Sequence, residues 1–280
     1  MGMGSQTEGV NKVESNNGIK VVVTGACGKV GREMVKAVVD APDMELVGAV
    51  DRLRLREDIG EVLGLGKQQV LVTDSLEEVL VRKPDVIIDF TNARAAFQHI
   101  TTAVKHGVSV VSGSTGLSNQ ELEQIYMLCE KNQIGAVIAP NFALGAVLMF
   151  RLSQEVAKWF DQAEIIELHN DRKLDAPSGT ALRTASLIQE QWKNIDRSED
   201  SLNTSNVAAR GDQAHGLSIH SVRLPGLVAH QEVIFGGFGQ TLTIRHDSFT
   251  RESFVPGVML SVRKVKSLKG VVFGLENLIF

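Results

Sequence analysis

The sequence predicts an α/β protein in two parts: a doubly wound parallel sheet first, then an α+β domain with a mixed or antiparallel sheet. Two observations predict the first part. Short β-branched runs alternate with segments of helical spacing, and the first run leads directly into a glycine-rich turn. A third observation predicts the second part, because its apolar runs follow one another with few helices between them. The length of 280 residues also favours two domains over a single core.

The composition is that of a folded globular protein. Hydrophobic residues make up 43% and charged residues 22%, and no apolar run reaches the ~20 residues needed to cross a bilayer. The net charge of -4 is spread along the chain without a basic block, which argues against nucleic-acid and membrane partners. Cys27 and Cys129 are too few for a disulfide scaffold and lack metal-ligand spacing with histidine. We therefore expect a cytoplasmic protein without a metal.

The chain begins with a polar leader and then a βαβ unit. The leader has no apolar segment like that of a signal peptide, and we expect residues 1–18 to be disordered. The run IKVVVT, residues 19–24, predicts the first strand; a glycine-rich turn and the helix-like residues 32–41 follow it. A second apolar run, residues 44–51, ends at Asp51 and predicts the next strand.

Continued alternation predicts the rest of the parallel sheet. Helices are expected at residues 75–81 and 93–106, and Ser118 with Glu121 three residues later predicts the start of another. The further predicted strands are VLVT, DVIIDF, VSVVSGST and GAVIAP. We assign residues 19–140 to a first domain, to which residues 252–280 return, with a helix expected within residues 255–270.

Residues 141–251 are assigned to the second domain. Residues 179–194 have the spacing of a helix, and the polar residues 195–213 predict a mobile loop. The predicted strands of this domain are EIIELH, SIHSVRL, EVIFGG and QTLTIRHDSF.

The glycine-rich turn GACGKVG points to a bound dinucleotide. Gly25, Gly28 and Gly31 stand between a strand and a helix, where glycine permits a sharp turn and close approach of a pyrophosphate. The backbone N–H groups around Lys29 and Val30 then face the anion at the helix start. A glycine pattern alone is weak evidence, but Asp51 ends the next strand, where a ribose-binding carboxylate is expected. The combination favours a Rossmann-type dinucleotide-binding domain over a glycine-rich turn without a ligand.

The residues after the second strand leave the choice of cofactor open. Asp51 suits the free ribose hydroxyls of NADH, whereas the guanidinium of Arg52 suits the 2′-phosphate of NADPH. We predict that both cofactors are used.

Two later loops also follow predicted parallel strands, at Asp89-Phe90-Thr91 and at Gly113-Ser114-Thr115-Gly116. Because the carboxyl ends of parallel strands face the ligand crevice, these loops are placed to line the nicotinamide side. Ordinary turn chemistry is the alternative, and it is favoured for each loop taken alone. The cofactor-contacting residues predicted in these loops are Phe90, Thr91, Gly113, Ser114 and Thr115.

The segment EIIELHNDRKLDAPSGTA, residues 164–181, carries the most chemistry. His169 and Lys173 follow a strand and can donate a proton or bind a carboxylate. Pro177 and Ser178 precede Gly179 and Thr180 at a helix start, whose N–H groups can hold an anion. Each feature alone has an ordinary structural explanation, as a packed histidine, a surface lysine or a helix cap. Their occurrence together favours a functional site.

At this segment the sequence resembles the 4-hydroxy-tetrahydrodipicolinate reductase (dihydrodipicolinate reductase) family of diaminopimelate and lysine biosynthesis. The family signature is Glu-x-His-His-x-x-Lys-x-Asp-x-Pro-Ser-Gly-Thr-Ala. It is matched here by Glu167, His169, Lys173, Asp175, Pro177, Ser178, Gly179, Thr180 and Ala181. The similarity extends through GACGKVGREMVKAV, DFT, GSTG, APNFALGAVLM, SVRLPGLVAHQEVIFG and IRHDSFTRESF.

The resemblance implies reduction of 4-hydroxy-tetrahydrodipicolinate, a small dicarboxylate, by NADH or NADPH in a homotetramer built through the second domain's sheet. It implies that His169 and Lys173 are the proton-donating pair and that Gly179 and Thr180 bind a substrate carboxylate. It further implies that the glycine turn with Asp51, and Asn141 and Phe142 of the matched APNFALGAVLM segment, contact the cofactor.

One position departs from the signature, since Asn170 stands where the family has its second histidine. Asparagine can donate a hydrogen bond to a carboxylate but adds no positive charge and transfers no proton. We therefore expect the chemistry to survive with weaker or altered substrate binding. Two alternatives stay open: a Rossmann-type reductase of another small cyclic or oxo acid, and a family member of low activity that only senses nicotinamide.

Overall fold

The computed structural model describes residues 18–192 and 207–280. The leader predicted for residues 1–18 therefore lies outside the described residues except for Gly18, and so do residues 195–206 of the predicted polar loop. The end of that loop prediction is wrong, because Asp212 and Gln213 belong to a short strand that pairs antiparallel with the strand after it. A turn with positive φ at His215 and Gly216 joins the two strands. The polar composition of this segment gave no apolar pattern from which the short strand could be predicted.

The elements alternate along the chain as expected for an α/β protein. The strands are β1 (Ile19–Thr24), β2 (Met44–Val50), β3 (Val72–Thr73), β4 (Val86–Asp89), β5 (Ser109–Ser112), β6 (Gly135–Ile138), β7 (Gln162–His169), β8 (Asp212–Ala214), β9 (Leu217–Arg223), β10 (Ala229–Gly237), β11 (Gln240–Ser248) and β12 (Gly270–Phe273). The helices are α1 (Gly31–Asp40), α2 (Ile59–Leu63), α3 (Leu76–Leu80), α4 (Ala93–Lys105), α5 (Asn119–Asn132), α6 (Leu144–Val156), α7 (Gly179–Trp192), α8 (Val255–Val265) and α9 (Glu276–Ile279).

The first sheet confirms the predicted doubly wound fold. Within the described ranges it has seven strands, all parallel, in the order β12-β6-β5-β4-β1-β2-β3. Alternate side chains of β1 enter different cores, as the pleat of a strand requires. Val21 and Val23 pack with α1 and α8 on one face, whereas Val22 packs with α3 and α4 on the other. Burial on both faces explains why these strands read as unbroken apolar runs.

The C-terminal segment packs against the first sheet. Helix α8 lies beside α1 in the same core, where Val258, Val262 and Val265 are buried. Strand β12 pairs with β6 and forms an edge of the sheet, a strand that the sequence analysis did not predict. The predicted capping box is confirmed at the start of α5, where Ser118 and Glu121 exchange hydrogen bonds.

The second sheet is mixed, as predicted. Among the described residues it has the order β11-β10-β7-β9-β8, with β7 and β9 parallel and the other neighbours antiparallel. Helices α6 and α7 contribute Met149 and Ile188 to its core, together with Ile165 and Phe235 from the strands. Strand β7 is central in this sheet and ends at His169, so the sheet positions the predicted site.

No helix in the described residues is long and apolar enough to span a membrane. Within the same ranges, no group of three or more His, Cys, Asp or Glu side chains is arranged to hold a metal ion.

Candidate active site

The glycine turn is shaped by two close backbone approaches. Gly25 has φ +73°, and a Cβ there would lie 2.5 Å from the carbonyl oxygen of Phe90. A Cβ at Gly31 would lie 1.9 Å from the carbonyl oxygen of Gly25. A side chain at either position would therefore push α1 or the β4 loop away. The Gly28 N–H donates to the Gly25 carbonyl oxygen at 2.9 Å and closes the turn.

This turn leaves an anion-binding surface at the start of α1. The N–H groups of Lys29, Val30 and Gly31 make no hydrogen bond within residues 18–192 and 207–280. Three unpaired donors at the positive end of a ten-residue helix suit a phosphate group. The residues present therefore fit the pyrophosphate of a dinucleotide.

Asp51 lies beside this turn, as predicted from its place after β2. One carboxylate oxygen, Oδ2, accepts from the Cys27 N–H at 2.9 Å, and Oδ1 accepts from the Leu53 N–H at 3.0 Å. The next residue, Arg52, is exposed. Two more exposed arginines follow in the same loop, Arg54 and Arg56, which the sequence analysis did not single out.

Asp89 joins the ends of three strands. Its buried carboxylate accepts hydrogen bonds from the side chains of Thr24 (2.6 Å), Thr91 (2.9 Å), His99 (2.9 Å), Ser112 (3.1 Å) and Ser114 (2.6 Å). Burial opposes ionisation, but the hydrogen bonds from His99, Ser114 and Thr24 outweigh it and lower the pKa of Asp89 below its ordinary value. A fixed negative charge therefore lies beneath the loops that follow β4 and β5.

The two predicted loops meet above this carboxylate. The Thr91 N–H donates to Ser114 Oγ at 2.9 Å. The Phe90 ring covers Gly113, where a Cβ would lie 2.1 Å from the ring. Sequence reasoning placed Phe90, Thr91, Gly113 and Ser114 here, but assigned no role to Asp89 or His99. The sequence did offer a signal for Asp89, because this carboxylate ends a strand that is otherwise apolar and fully buried.

A cleft of about 780 Å³ separates the two sheets and receives residues from both. Thr115 and Asn141 line it from the first sheet's side, together with Phe273, Gly274, Glu276 and Asn277. His169, Lys173, Gly179 and Thr180 line it from the second sheet's side, so the predicted proton donors and the α7 start face one space.

Two predicted residues are placed differently. Phe142 is 1% exposed and packs edge-on against Phe90 at 6.0 Å between ring centroids, so its side chain does not reach the cleft. Asn170 does not line the cleft, and its Oδ1 accepts from the Arg172 N–H at 3.1 Å.

His169 is held by a buried carboxylate. Its Nδ1 hydrogen-bonds to Glu167, which also accepts two hydrogen bonds from Arg223 at 2.7 and 2.9 Å. Burial opposes ionisation of Glu167, but the hydrogen bonds from His169 and Arg223 outweigh it and lower its pKa to about 2. An ionised Glu167 requires the proton on Nδ1, which leaves Nε2 of His169 free for a ligand.

The same carboxylate reaches the start of α7. Glu167 accepts from the Ser178 N–H at 3.2 Å, and Ser178 Oγ accepts from the Ala181 N–H at 3.2 Å. The N–H groups of Gly179 and Thr180 make no hydrogen bond among the residues described. One ionised group thus fixes the imidazole and a helix start that can bind a carboxylate. Sequence reasoning matched Glu167 without giving it a role and missed Arg223.

Lys173 is paired with an acid in this structure. Its Nζ lies 2.7 Å from both carboxylate oxygens of Asp175. The hydrogen bond from Lys173 lowers the pKa of Asp175 below its ordinary value. An anionic ligand of Lys173 therefore competes with Asp175.

Comparison with known proteins supports one family over the whole fold. The family descriptions "Dihydrodipicolinate reductase, N-terminus" and "Dihydrodipicolinate reductase, C-terminus" match residues 19–142 and 145–279. The 4-hydroxy-tetrahydrodipicolinate reductase of Moorella thermoacetica is 51% identical over 262 residues, covering 93% of this chain and 98% of that protein. The reductase of Gloeobacter violaceus is 48% identical over 267 residues, covering 93% and 99%.

Solved structures agree with this result. The dipicolinate-bound dihydrodipicolinate reductase from Paenisporosarcina sp. TG-14 is 42% identical, with a TM-score of 0.82 over 94% of this chain and 100% of that one. An amine dehydrogenase from Mycobacterium smegmatis, 17% identical with a TM-score of 0.65, shares the fold alone. The resemblance found in the sequence is confirmed: the chain belongs to the dihydrodipicolinate reductase family.

Proposed function

We propose that this chain reduces 4-hydroxy-tetrahydrodipicolinate to tetrahydrodipicolinate with NADH or NADPH, in diaminopimelate and lysine biosynthesis. The observation that carries the proposal is the shared cleft, where His169 and the α7 start face the loops of the first sheet. The product lacks the substrate's hydroxyl group, so the reaction takes up a hydride and a proton and releases one water. A bound reduced nicotinamide supplies the hydride.

Residues 19–140 with 252–280 form the dinucleotide half in this proposal. The turn formed by Gly25, Gly28, Lys29, Val30 and Gly31 binds the pyrophosphate through its unpaired N–H groups. Asp51 binds a ribose hydroxyl, and Arg52 accommodates a 2′-phosphate. Asp89 positions the nicotinamide-side loops through Thr91 and Ser114.

Residues 141–251 supply the proton and bind the substrate. His169 presents Nε2 to the cleft, and ionised Glu167 holds the imidazole in place through Nδ1. Lys173 leaves Asp175 and acts with His169 as the proton-donating pair. Gly179 and Thr180 bind one substrate carboxylate at the α7 start, whereas Asn170 does not line the cleft and adds no charge to it.

The second sheet also supports assembly into a homotetramer. Strand β11 is nine residues long and forms an outer edge of this sheet. Phe238 at the adjoining turn is fully exposed, and Trp159 and Phe249 are mostly exposed. Unpaired edges and exposed aromatic side chains are stabilised by contact with another chain. A cytoplasmic location agrees with two cysteines that are both free thiols.

The test is oxidation of NADPH or NADH coupled to freshly generated 4-hydroxy-tetrahydrodipicolinate. We expect turnover that depends on both substrates and on His169. Cofactor binding without turnover would favour the nicotinamide-sensing alternative. Turnover only within a panel of other cyclic imines and oxo acids would favour a reductase of different specificity.

A further inference from the structure

A dicarboxylate substrate needs two anion-binding groups in the cleft. The start of α7 provides one, through the N–H groups of Gly179 and Thr180. The position where the signature has a second histidine provides no charge here, because Asn170 is neutral and does not line the cleft. The basic side chains that line the cleft, within the described ranges, are those of His169, Lys173 and Arg183.

Arg183 has the weakest pairing of these three side chains within the protein. His169 is bound to buried Glu167, and Lys173 contacts both oxygens of Asp175 at 2.7 Å. Arg183 makes one ion pair, from Nη2 to an oxygen of Glu276 at 3.4 Å, and its side chain is 46% exposed. An ion pair this long and this exposed contributes little free energy. A ligand carboxylate can therefore displace Glu276 at small cost.

The position of Arg183 on α7 suits a second contact with the same ligand. It lies four residues after Gly179 and three after Thr180 and so shares their side of the helix. Helix side chains tilt back towards the N-terminus, which is the end where the unpaired N–H groups lie. A guanidinium binds a carboxylate through two parallel N–H donors, a geometry that neither lysine nor histidine offers.

The partner of Arg183 comes from the opposite wall. Glu276 begins α9, which belongs to the C-terminal segment packed against the first sheet. Its carboxylate repels a dianion that enters the cleft, and it competes with that dianion for the same guanidinium. Removal of the Glu276 charge should therefore favour ligand binding.

We propose that Arg183 is a substrate-binding residue that leaves Glu276 and binds one carboxylate of a small cyclic dicarboxylate, while the first turn of α7 binds the other. The identity of the substrate rests on the proposed function, whereas the class of ligand rests on the cleft itself. Arg183 then supplies the positive charge that Asn170 does not.

The experiment is calorimetric titration of two probes into the NADH-loaded protein. Dipicolinate, the ligand bound to the Paenisporosarcina relative, carries two carboxylates, and picolinate carries one on the same ring. We expect Arg183→Gln to weaken dipicolinate binding about tenfold or more, as loss of a hydrogen bond between charged groups does. Picolinate binding should change less than about twofold, because the α7 start still holds its single carboxylate.

Two further variants separate charge from structure. Glu276→Gln should tighten dipicolinate binding, the opposite sign to Arg183→Gln. Arg172→Gln removes an equal charge from an exposed residue that does not line the cleft and should leave both affinities unchanged. Equal losses for both probes in Arg183→Gln, unchanged dipicolinate binding, or weaker binding in Glu276→Gln would each overturn the inference.

The outcome is independent of the turnover assay. If the chain failed to reduce 4-hydroxy-tetrahydrodipicolinate but bound dipicolinate in an Arg183-dependent way, the proposed reaction would be wrong and this inference would stand. If turnover occurred and Arg183→Gln kept the wild-type affinity for dipicolinate, the inference alone would fail.

Discussion

Replacement of Glu167 by Gln should separate its contribution to stability from its contribution to catalysis. The carboxylate is fully buried, and its pKa falls from an ordinary 4.5 to about 2. That shift corresponds to about 3 kcal/mol of preference for the ionised form. Because the folded-state pKa is lowered, this stabilisation is present above about pH 4.5 and is lost as the pH falls towards about 2. At neutral pH, Glu167→Gln should therefore lower the free energy of unfolding by about 3 kcal/mol.

The same substitution should lower kcat by about 100-fold, because the carboxylate that holds Nδ1 of His169 and orients its imidazole is then missing. KM for the cofactor should stay near its wild-type value, since Glu167 does not contact the glycine turn. Urea denaturation measures the first effect and steady-state kinetics the second.

A double variant, Glu167→Gln with Arg223→Met, provides the control. It also removes the half-buried guanidinium of Arg223, which the single variant leaves without its carboxylate partner, so the double variant should recover most of the stability. Its kcat should stay low, because the charge beside His169 is still missing. The reasoning is refuted if Glu167→Gln keeps kcat within about twofold of wild type, or if the double variant recovers activity together with stability.

Four other outcomes are expected. Gly31→Ala should abolish measurable cofactor binding in a fluorescence titration, because its Cβ would lie 1.9 Å from a backbone oxygen; an unchanged affinity would contradict the close packing. Asp89→Asn places an amide donor against hydroxyl donors and should lower the free energy of unfolding by about 1–3 kcal/mol. It should also raise KM for the cofactor more than KM for the substrate, which steady-state kinetics with either compound varied would show. Asn170→His should lower KM for the substrate, and no change would mean that this position does not bind it. NADH and NADPH should support catalytic efficiencies within about tenfold, whereas a preference of several orders of magnitude would refute dual use.

Local patterns in the sequence predicted most strands of both sheets and those site residues that lie in one continuous segment. The β-branched runs predicted the strands of the parallel sheet because both of its faces are buried, as Val21, Val22 and Val23 show. The glycine turn and the residues from His169 to Thr180 were also readable, because each forms one continuous segment whose chemistry depends on neighbours in the chain. Strand β12 escaped prediction, since four residues at an edge carry too little periodicity.

Only the tertiary structure decided which charged side chains pair with residues far away in the sequence. Arg223 reaches Glu167 across 56 positions because β9 runs parallel to β7, and no periodicity in either strand specifies that pairing. Asp89 collects donors from three strand ends because β4 lies between β1 and β5. Arg183 meets Glu276 because the C-terminal segment returns to line the cleft. The chain alone determines which groups are available, and the order of strands determines which of them meet, because such contacts come from packing between segments far apart in the chain.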